Sequence, residues 1–316
     1  MARKAPHQVR RVSSLGGGPI GGGWTAHFLA HGYDVVSYIH AESERDILRE
    51  IVDTGWVSLT ALGLSSGASL DRWKITTDLE EAVSDAEFVQ ESAPENLVLK
   101  QELYRKLGDL VAPDVVISSS TSGLRMTDIQ ATCSTPERAV VGHPFNPPYL
   151  LPLVEIVGGD KTSPEAVRWT EEFYRAAGKA PLVLRKEIPG FIATRLQEAL
   201  WREAMHMVDN DEASPEQIDL ALRTGPGPRM ALMGQCMAFH VACGEGGMAT
   251  NLDQFGPALK LPWTRLQAPE LTKGLRDKLV DGCNKMAAGR RFADLAAERD
   301  RGIVAILKAI AETARS

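Results

Sequence analysis

Cysteine is scarce in this chain, and what there is does not pair. The 316 residues hold four, Cys133, Cys236, Cys243 and Cys283. No two form a C-x-x-C pair, and no histidine stands at zinc-ligand spacing from two of them. A disulfide framework and a structural metal are both set aside on that ground. Long apolar runs are missing too: none approaches the roughly 20 residues of a membrane span. The opening "MARKAPHQVRRV" is basic, but no apolar stretch of the secretory kind follows it. Nor is positive charge in excess. The formal net charge is −6, which argues against nucleic acid or an anionic membrane as the main partner. Internal repeats and low-complexity tracts are absent. The expectation is a soluble, reduced, cytoplasmic protein with a small-molecule partner. At 44% hydrophobic and 24% charged the chain can bury sizeable cores, and its length accommodates one large domain or two ordinary ones.

The first half alternates two textures. "QVRRVSSL", "YDVVSYI", "AEFVQESA", "DVVISSS", "RAVVGH" and "PLVEIVGG" are short runs rich in β-branched residues and read as strands. Between them "GGWTAHFLAHG", residues 42–63 and "PENLVLKQELYRKLGDL" read as helices. Strand–helix alternation predicts a doubly wound, mostly parallel sheet of the Rossmann type. From "KEIPGFIATR" on, strand signals almost vanish. Apolar residues then recur at helical spacing, at Ile192, Leu196, Leu200 and Met207, and again at Ile303, Ile306, Leu307 and Ile310. The expected organisation is a dinucleotide-binding domain over residues 1–188 and an all-helical domain over 189–316.

The densest feature is "LGGGPIGGGW", six glycines in eight positions from residue 16. Gly16, Gly18 and Gly21 fit G-x-G-x-x-G, with Pro19 and Ile20 between the last two. In that motif the first glycine permits a tight turn. The second lets the backbone approach a pyrophosphate, and the third lets helix and strand pack closely. The phosphate then lies on a helix N-terminus, where free N–H groups favour negative charge. A glycine-rich turn without a ligand is the plain alternative, but the strand before it and the helix after it favour the nucleotide. Ser13 and Ser14 make the preceding strand more polar than a buried strand should be, so each needs a partner.

One further absence matters more. An acid about 20 residues after the glycines normally binds the adenosine ribose. Here the second strand ends in Tyr38-Ile39-His40-Ala41, with no acid. Glu42 and Glu44 follow slightly late; they could reach back, though plain surface solvation is the commoner fate. Arg45 is the nearest base for a 2′-phosphate, but the flanking glutamates would repel one. NAD is expected, with NADP left open by Ile39.

The best candidates for chemistry lie in "GHPFNPPYLLPLVEIVGG". His143 closes an apolar run, and Glu155 is an acid inside another. A buried carboxylate needs a partner. A histidine would serve: the carboxylate would accept from one ring nitrogen and make the other the more basic. Alcohol oxidation requires such a base. Two unrelated residues, a loop histidine and a solvated edge glutamate, are the alternative that spacing alone favours. "SSSTSGL" follows a strand, where ligands collect in open α/β sheets; a strand-end turn is its commoner role.

Together these stretches resemble the L-3-hydroxyacyl-CoA dehydrogenase superfamily. The resemblance rests on "GGGPIGGGW", "QESAPENLVLK", "SSSTSGL", "GHPFNPPYLLPLVEIVGG", "KEIPGFIATRLQEALWREA" and "QFGPALKLPWTRL", and covers nearly the whole length. The last two point to the L-carnitine 3-dehydrogenase branch, with lambda-crystallin, an L-gulonate 3-dehydrogenase, as a cousin. The resemblance implies hydride transfer to a nicotinamide cofactor. It makes His143 the catalytic base, Glu155 its partner and Ser122 the serine that contacts the substrate oxygen. Glu95 and Lys100 match positions that contact cofactor. It also implies a homodimer formed through the helical domain. The chain departs from the family at Ile39, where Asp is usual, and at Thr194, where the hydroxyacyl-CoA enzymes carry Asn. "MGQCMAFHVACGEGGMATN" departs from the carnitine branch.

Composition bears on the substrate. A CoA ester wants clustered bases for its phosphates. Residues 46–74 offer only Arg49, Arg72 and Lys74 against Asp46, Glu50, Asp53 and Asp71, which disfavours CoA. A trimethylammonium group is held by aromatic faces; Tyr149, Trp201, Phe239 and Trp263 are candidate walls, each with core packing as its alternative. Arg195 and Arg229 are candidates for a substrate carboxylate. An L-gulonate or 3-hydroxyacyl-CoA dehydrogenase, or a non-catalytic crystallin-like protein, are the competing expectations.

Overall fold

A computed structural model of the chain describes residues 3–210, 212–264, 272–291, 294–295 and 309. The sequence pattern at Ile303, Ile306, Leu307 and Ile310 lies outside the described residues. The contacts divide the chain into two compact units, with the boundary in the sequence between Leu196 and Gln197.

The first unit is built on eight strands: β1 Arg11–Leu15, β2 Asp34–Tyr38, β3 Trp73–Thr76, β4 Phe88–Glu91, β5 Val116–Ser119, β6 Ala139–Pro144, β7 Leu153–Gly158 and β8 Ala180–Val183. They form one sheet in the order β3-β2-β1-β4-β5-β6-β7-β8. Every pair is parallel except β6 with β7, which is antiparallel. The strand order reverses between β1 and β4, and ligands of doubly wound sheets collect outside the strand ends at such a point.

Helices cover both faces. On one, α1 (Pro19–Ala30), α2 (Arg45–Leu62) and α6 (Pro164–Ala176) bury Trp24, Phe28, Leu48, Trp169, Phe173 and Tyr174 against Val12, Val35, Phe88, Val116, Val140 and Val154. On the other, α3 (Leu79–Val83), α4 (Leu97–Leu110) and α5 (Met126–Ile129) pack Val83, Tyr104, Leu107, Met126 and Ile129 against Leu15, Val89, Ile117, Val141 and Val157. Strand side chains alternate between the two layers, as the two-residue period requires.

Residues 42–63, read as one helix, divide into a short 3-10 turn at Glu42–Glu44 and α2. Strands β3 and β8 escaped the sequence reading. Both are edge strands of only four residues: β8 holds Pro181 and is largely exposed, and in β3 the alternation of Trp73 and Ile75 with Lys74 and Thr76 is too short to stand out.

The second unit is helical. α7 (Ala193–Asp209) runs into it, followed by α8 (Pro215–Thr224), α9 (Gly227–Met230), α10 (Gln235–Ala242), α11 (Gly247–Phe255) and α12 (Lys273–Ala287). A capping box starts α8, with Ser214 and Gln217 satisfying each other's backbone N–H groups. Met237 and Val241 of α10 pack with Ala287 and Leu295. Among the described residues no strand follows β8, and no helix is long and apolar enough to cross a membrane.

Candidate active site

The glycine run forms the turn from β1 into α1. Gly16 has φ +131°, and its N–H donates to Tyr38 O at 2.9 Å. A Cβ there would meet Ser92 O at 2.5 Å, so the chain passes close to the end of β4 only because residue 16 has no side chain. A Cβ on Gly21 would stand 2.1 Å from Gly16 O; this is the close helix–strand packing that the third glycine permits. At Gly18 nothing lies within 4 Å. Gly18 is the N-cap of α1, Pro19 begins the helix, and no side chain caps it. The first-turn N–H groups of such a helix have no intrahelical acceptor. The opening therefore suits a pyrophosphate: a free helix N-terminus, space at the middle glycine, and Ile20 packed on the core beneath.

The two serines of β1 find their partners here. Ser14 Oγ donates to Gly21 O at 3.0 Å, and Thr25 Oγ1 donates to the same carbonyl at 2.9 Å. Ser13 points to the other face and donates to Ala82 O. The polarity of the strand thus fastens the glycine turn on one face and α3 on the other.

Beside the turn lies a cleft of about 670 Å³, lined in part by Gly16, Gly17, Gly18, Tyr38, Glu44 and Ser92. Ile39, expected at the ribose, is fully buried and is not part of this lining. Its side chain packs under Gly17, where a Cβ would meet Ile39 Cγ2 at 3.2 Å. Glu42 and Glu44 diverge. Glu42 is exposed and forms a two-pronged pair with Arg45, the second contact at 3.0 Å. Glu44 is half-buried and turns back toward the glycines.

Lys100 and Glu95 support neighbouring loops. Lys100, 1% exposed, donates to Glu91 Oε1 at 2.6 Å and to Ala93 O at 3.0 Å, and its ammonium lies 3.8 Å from Glu95 Oε2. Glu91, also buried, further accepts from Ala93 N at 2.6 Å and Ser119 Oγ at 2.5 Å. With its nitrogen under the loop at 92–96, Lys100 holds that loop in place. Glu95 Oε1 accepts from Thr121 Oγ1 at 2.6 Å, Ser122 N at 3.0 Å, Gly123 N at 3.2 Å and Ser122 Oγ at 3.3 Å. One carboxylate oxygen thus shapes the "TSGL" turn and brings Glu95 and Ser122 together.

His143 and Glu155 meet directly. They are register partners across the antiparallel β6–β7 pair, so they share a face, the one that α4 and α5 cover. His143 Nδ1 lies 2.9 Å from Glu155 Oε2. Glu155 Oε1 accepts two more bonds, from Ile192 N at 2.9 Å and Ala193 N at 2.8 Å, where α7 begins. Burial alone would raise the Glu155 pKa. The bonds from His143, Ala193 and Ile192 outweigh it and hold the carboxyl below its ordinary value. Glu155 is therefore ionised at neutral pH, and an ionised carboxylate can only accept. It follows that Nδ1 carries a proton and donates to Glu155, which leaves Nε2 as the nitrogen that can exchange one. His143 is buried, its ring packed 4.8 Å from the Phe145 ring and 5.5 Å from that of Phe191.

The same network sets a stability expectation. A depressed carboxyl pKa stabilises the fold above the unfolded-state value and loses that contribution as pH falls through the folded value. Glu155→Gln cannot accept from all three donors and should cost about 1–3 kcal/mol near neutrality. The cost should shrink between about pH 5 and pH 3 in urea titrations of both proteins. A cost constant across that window would mean that Glu155 is not ionised in the fold.

Two contributors had no sequence signal. Lys179 donates to Pro148 O and to Leu151 O, the latter at 3.2 Å, and so pins the loop that follows His143. Its burial pushes the ammonium down to about 7. Phe191 takes φ 50° with its ring fully buried, a conformation seldom adopted by a bulky residue. Both depend on contacts remote in sequence. Among the candidate substrate walls, Tyr149 packs against the core of the first unit. Trp201, Phe239 and Trp263 are exposed. Arg195 is exposed and Arg229 half-buried.

Comparison with known proteins identifies the family. Residues 11–188 match the family model described as 3-hydroxyacyl-CoA dehydrogenase, NAD binding domain, and residues 190–292 match its C-terminal domain. The L-carnitine dehydrogenase of Streptomyces coelicolor is 57% identical over 305 residues, 96% of each chain. That of Pseudomonas putida is 49% identical over 303 residues, 96% of this chain and 94% of its own. Among solved structures, 5-formyl-3-hydroxy-2-methylpyridine 4-carboxylic acid 5-dehydrogenase, an NAD+ dependent dismutase, superposes with a TM-score of 0.73. It is 30% identical and is matched over 96% of this chain and 98% of its own. The chain belongs to the 3-hydroxyacyl-CoA dehydrogenase family and is a nicotinamide-dependent 3-hydroxy acid dehydrogenase.

Proposed function

We propose that this protein oxidises the 3-hydroxyl of L-carnitine to give 3-dehydrocarnitine, with NAD as hydride acceptor and the His143–Glu155 pair as base. The observation that carries the chemistry is the 2.9 Å contact between His143 Nδ1 and Glu155 Oε2. What supports the substrate is the 57% and 49% identity to L-carnitine dehydrogenases over nearly the whole chain.

The residues divide the work as follows. Gly16, Gly18, Pro19, Ile20 and Gly21 hold the pyrophosphate on the start of α1. The nicotinamide, when bound, supplies the hydride acceptor. His143 Nε2 takes the hydroxyl proton, and the imidazolium that forms is balanced by Glu155 at Nδ1. Glu155 stays ionised throughout, because three donors hold its charge. Ser122, exposed on a turn that Glu95 shapes, orients the substrate oxygen. Lys100 keeps the 92–96 loop fixed from below. Residues 1–188 serve as the dinucleotide-binding domain and 189–316 as the helical substrate and dimerisation domain of a cytoplasmic homodimer.

The test is a substrate panel read by the absorbance of reduced nicotinamide. L-carnitine should give turnover, and L-gulonate and 3-hydroxybutyryl-CoA should give far less. Turnover with either of those and none with L-carnitine would reassign the substrate. No turnover with any of the three, with NAD or NADP, would remove the enzymatic reading for these substrates and favour a structural protein.

A further inference from the structure

The end of β2 lacks the acid that usually reads the adenosine ribose, yet the cleft has one. We propose that Glu44 binds the 2′-hydroxyl of the adenosine ribose and makes the site selective for NAD over NADP. The proposal rests on the cleft beside the glycine turn being the nucleotide site.

Position is the first argument. Glu44 lines the cleft together with Gly16, Gly17 and Gly18. Its Oε2 accepts from His40 N at 3.3 Å, which turns the side chain back across the strand end. A Cβ built on Gly17 would meet that oxygen at 2.7 Å and Ile39 Cγ2 at 3.2 Å. Ile39 and Glu44 thus converge on one point. Ile39, fully buried, fills the underside. Glu44 puts a carboxylate on the side that faces the cleft, five residues later in the chain than the motif would place it.

Charge is the second. Among the described residues no cation pairs with Glu44. Arg45, the next residue in the chain, is taken by Glu42 on the outer surface. Lys106, at another part of the cleft, pairs with Glu102 at 3.4 Å. A carboxylate with no cation paired to it accepts well from a ribose hydroxyl. It repels a 2′-phosphate, which needs an arginine or lysine in its place. A third observation fits both: residue 17 must be glycine for the Glu44 carboxylate to lie where it does.

The experiment is calorimetric titration of the full chain with NADH and with NADPH. The proteins are the wild type, Glu44→Gln and, as a control on the outer surface, Glu42→Gln. The wild type should bind NADH far more tightly than NADPH. Glu44→Gln should weaken NADH about tenfold to a hundredfold, the loss expected for a hydrogen bond to a charged group. It should also narrow the preference by strengthening NADPH. Its thermal midpoint without nucleotide should match the wild type, since among the described residues the Glu44 carboxylate accepts only the one long hydrogen bond, from His40 N. Glu42→Gln should leave both affinities unchanged. If Glu44→Gln changes neither affinity while wild type binds NADH, this assignment fails and the nucleotide site stands. The assignment also fails if Glu42→Gln alone shifts the preference. Should the wild type bind neither nucleotide, the reading of the cleft falls with it.

Discussion

Replacing His143 by alanine should lower the turnover of L-carnitine by about a hundredfold to ten-thousandfold, the range a positioned general base supplies. NADH should bind the variant as it binds the wild type. The two parts separate because His143 and the nucleotide turn stand on different strands, β6 and β1, with β4 and β5 between them. The loss should be in kcat as well as kcat/KM, since proton removal belongs to the transition state and not to binding. Neighbouring Phe145 and Phe191 pack on the imidazole, so alanine also leaves a small void. His143→Gln fills most of it without restoring a base. Both variants should therefore be equally slow, although their stabilities differ. Recovery of turnover in the glutamine variant would show that His143 acts by packing and not by proton transfer.

The second large effect falls on stability. Lys100→Met should cost about 3–5 kcal/mol in urea denaturation, the price of leaving a buried charge without its partner. Glu91 is 0% exposed and would keep only Ala93 N and Ser119 Oγ as donors. A double variant, Glu91→Gln with Lys100→Met, should recover part of the loss, because both charges leave together. The family resemblance implies a cofactor contact at this lysine; the structure sets it beneath the loop that borders the cleft. The two roles give different results. A supporting lysine costs stability, and its effect on NADH binding follows from the loosened loop. A lysine whose role is only to touch cofactor would weaken NADH with the unfolding midpoint unchanged.

How much was legible in the sequence varies with how local the cause is. The glycine turn was readable because its geometry is decided within six residues: Gly16 makes the tight turn and Gly21 permits the close helix–strand packing that the spacing implies. The His143–Glu155 pair was half readable. An acid in an apolar strand announces a buried partner, but the choice of His143 depends on an antiparallel register that no short window contains. Glu155's other two donors, Ile192 and Ala193, lie farther still, at the start of α7. Ser13 and Ser14 looked out of place for the same reason: the carbonyls that satisfy them belong to Ala82 and Gly21. That Ile39 stands where an acid is usual is plain from the sequence. That Glu44 folds back over Gly17 while Glu42 turns outward depends on a 3-10 turn before α2, which the helical pattern of residues 42–63 concealed.

The central claim is that His143, oriented by Glu155, removes the hydroxyl proton of L-carnitine. The most direct measurement is the initial rate of nicotinamide reduction with L-carnitine, wild type beside His143→Ala, both first shown to bind NADH. The expected result is steady turnover in the wild type and a loss of at least about a hundredfold in the variant at equal NADH affinity. Undiminished turnover in the variant would contradict the account.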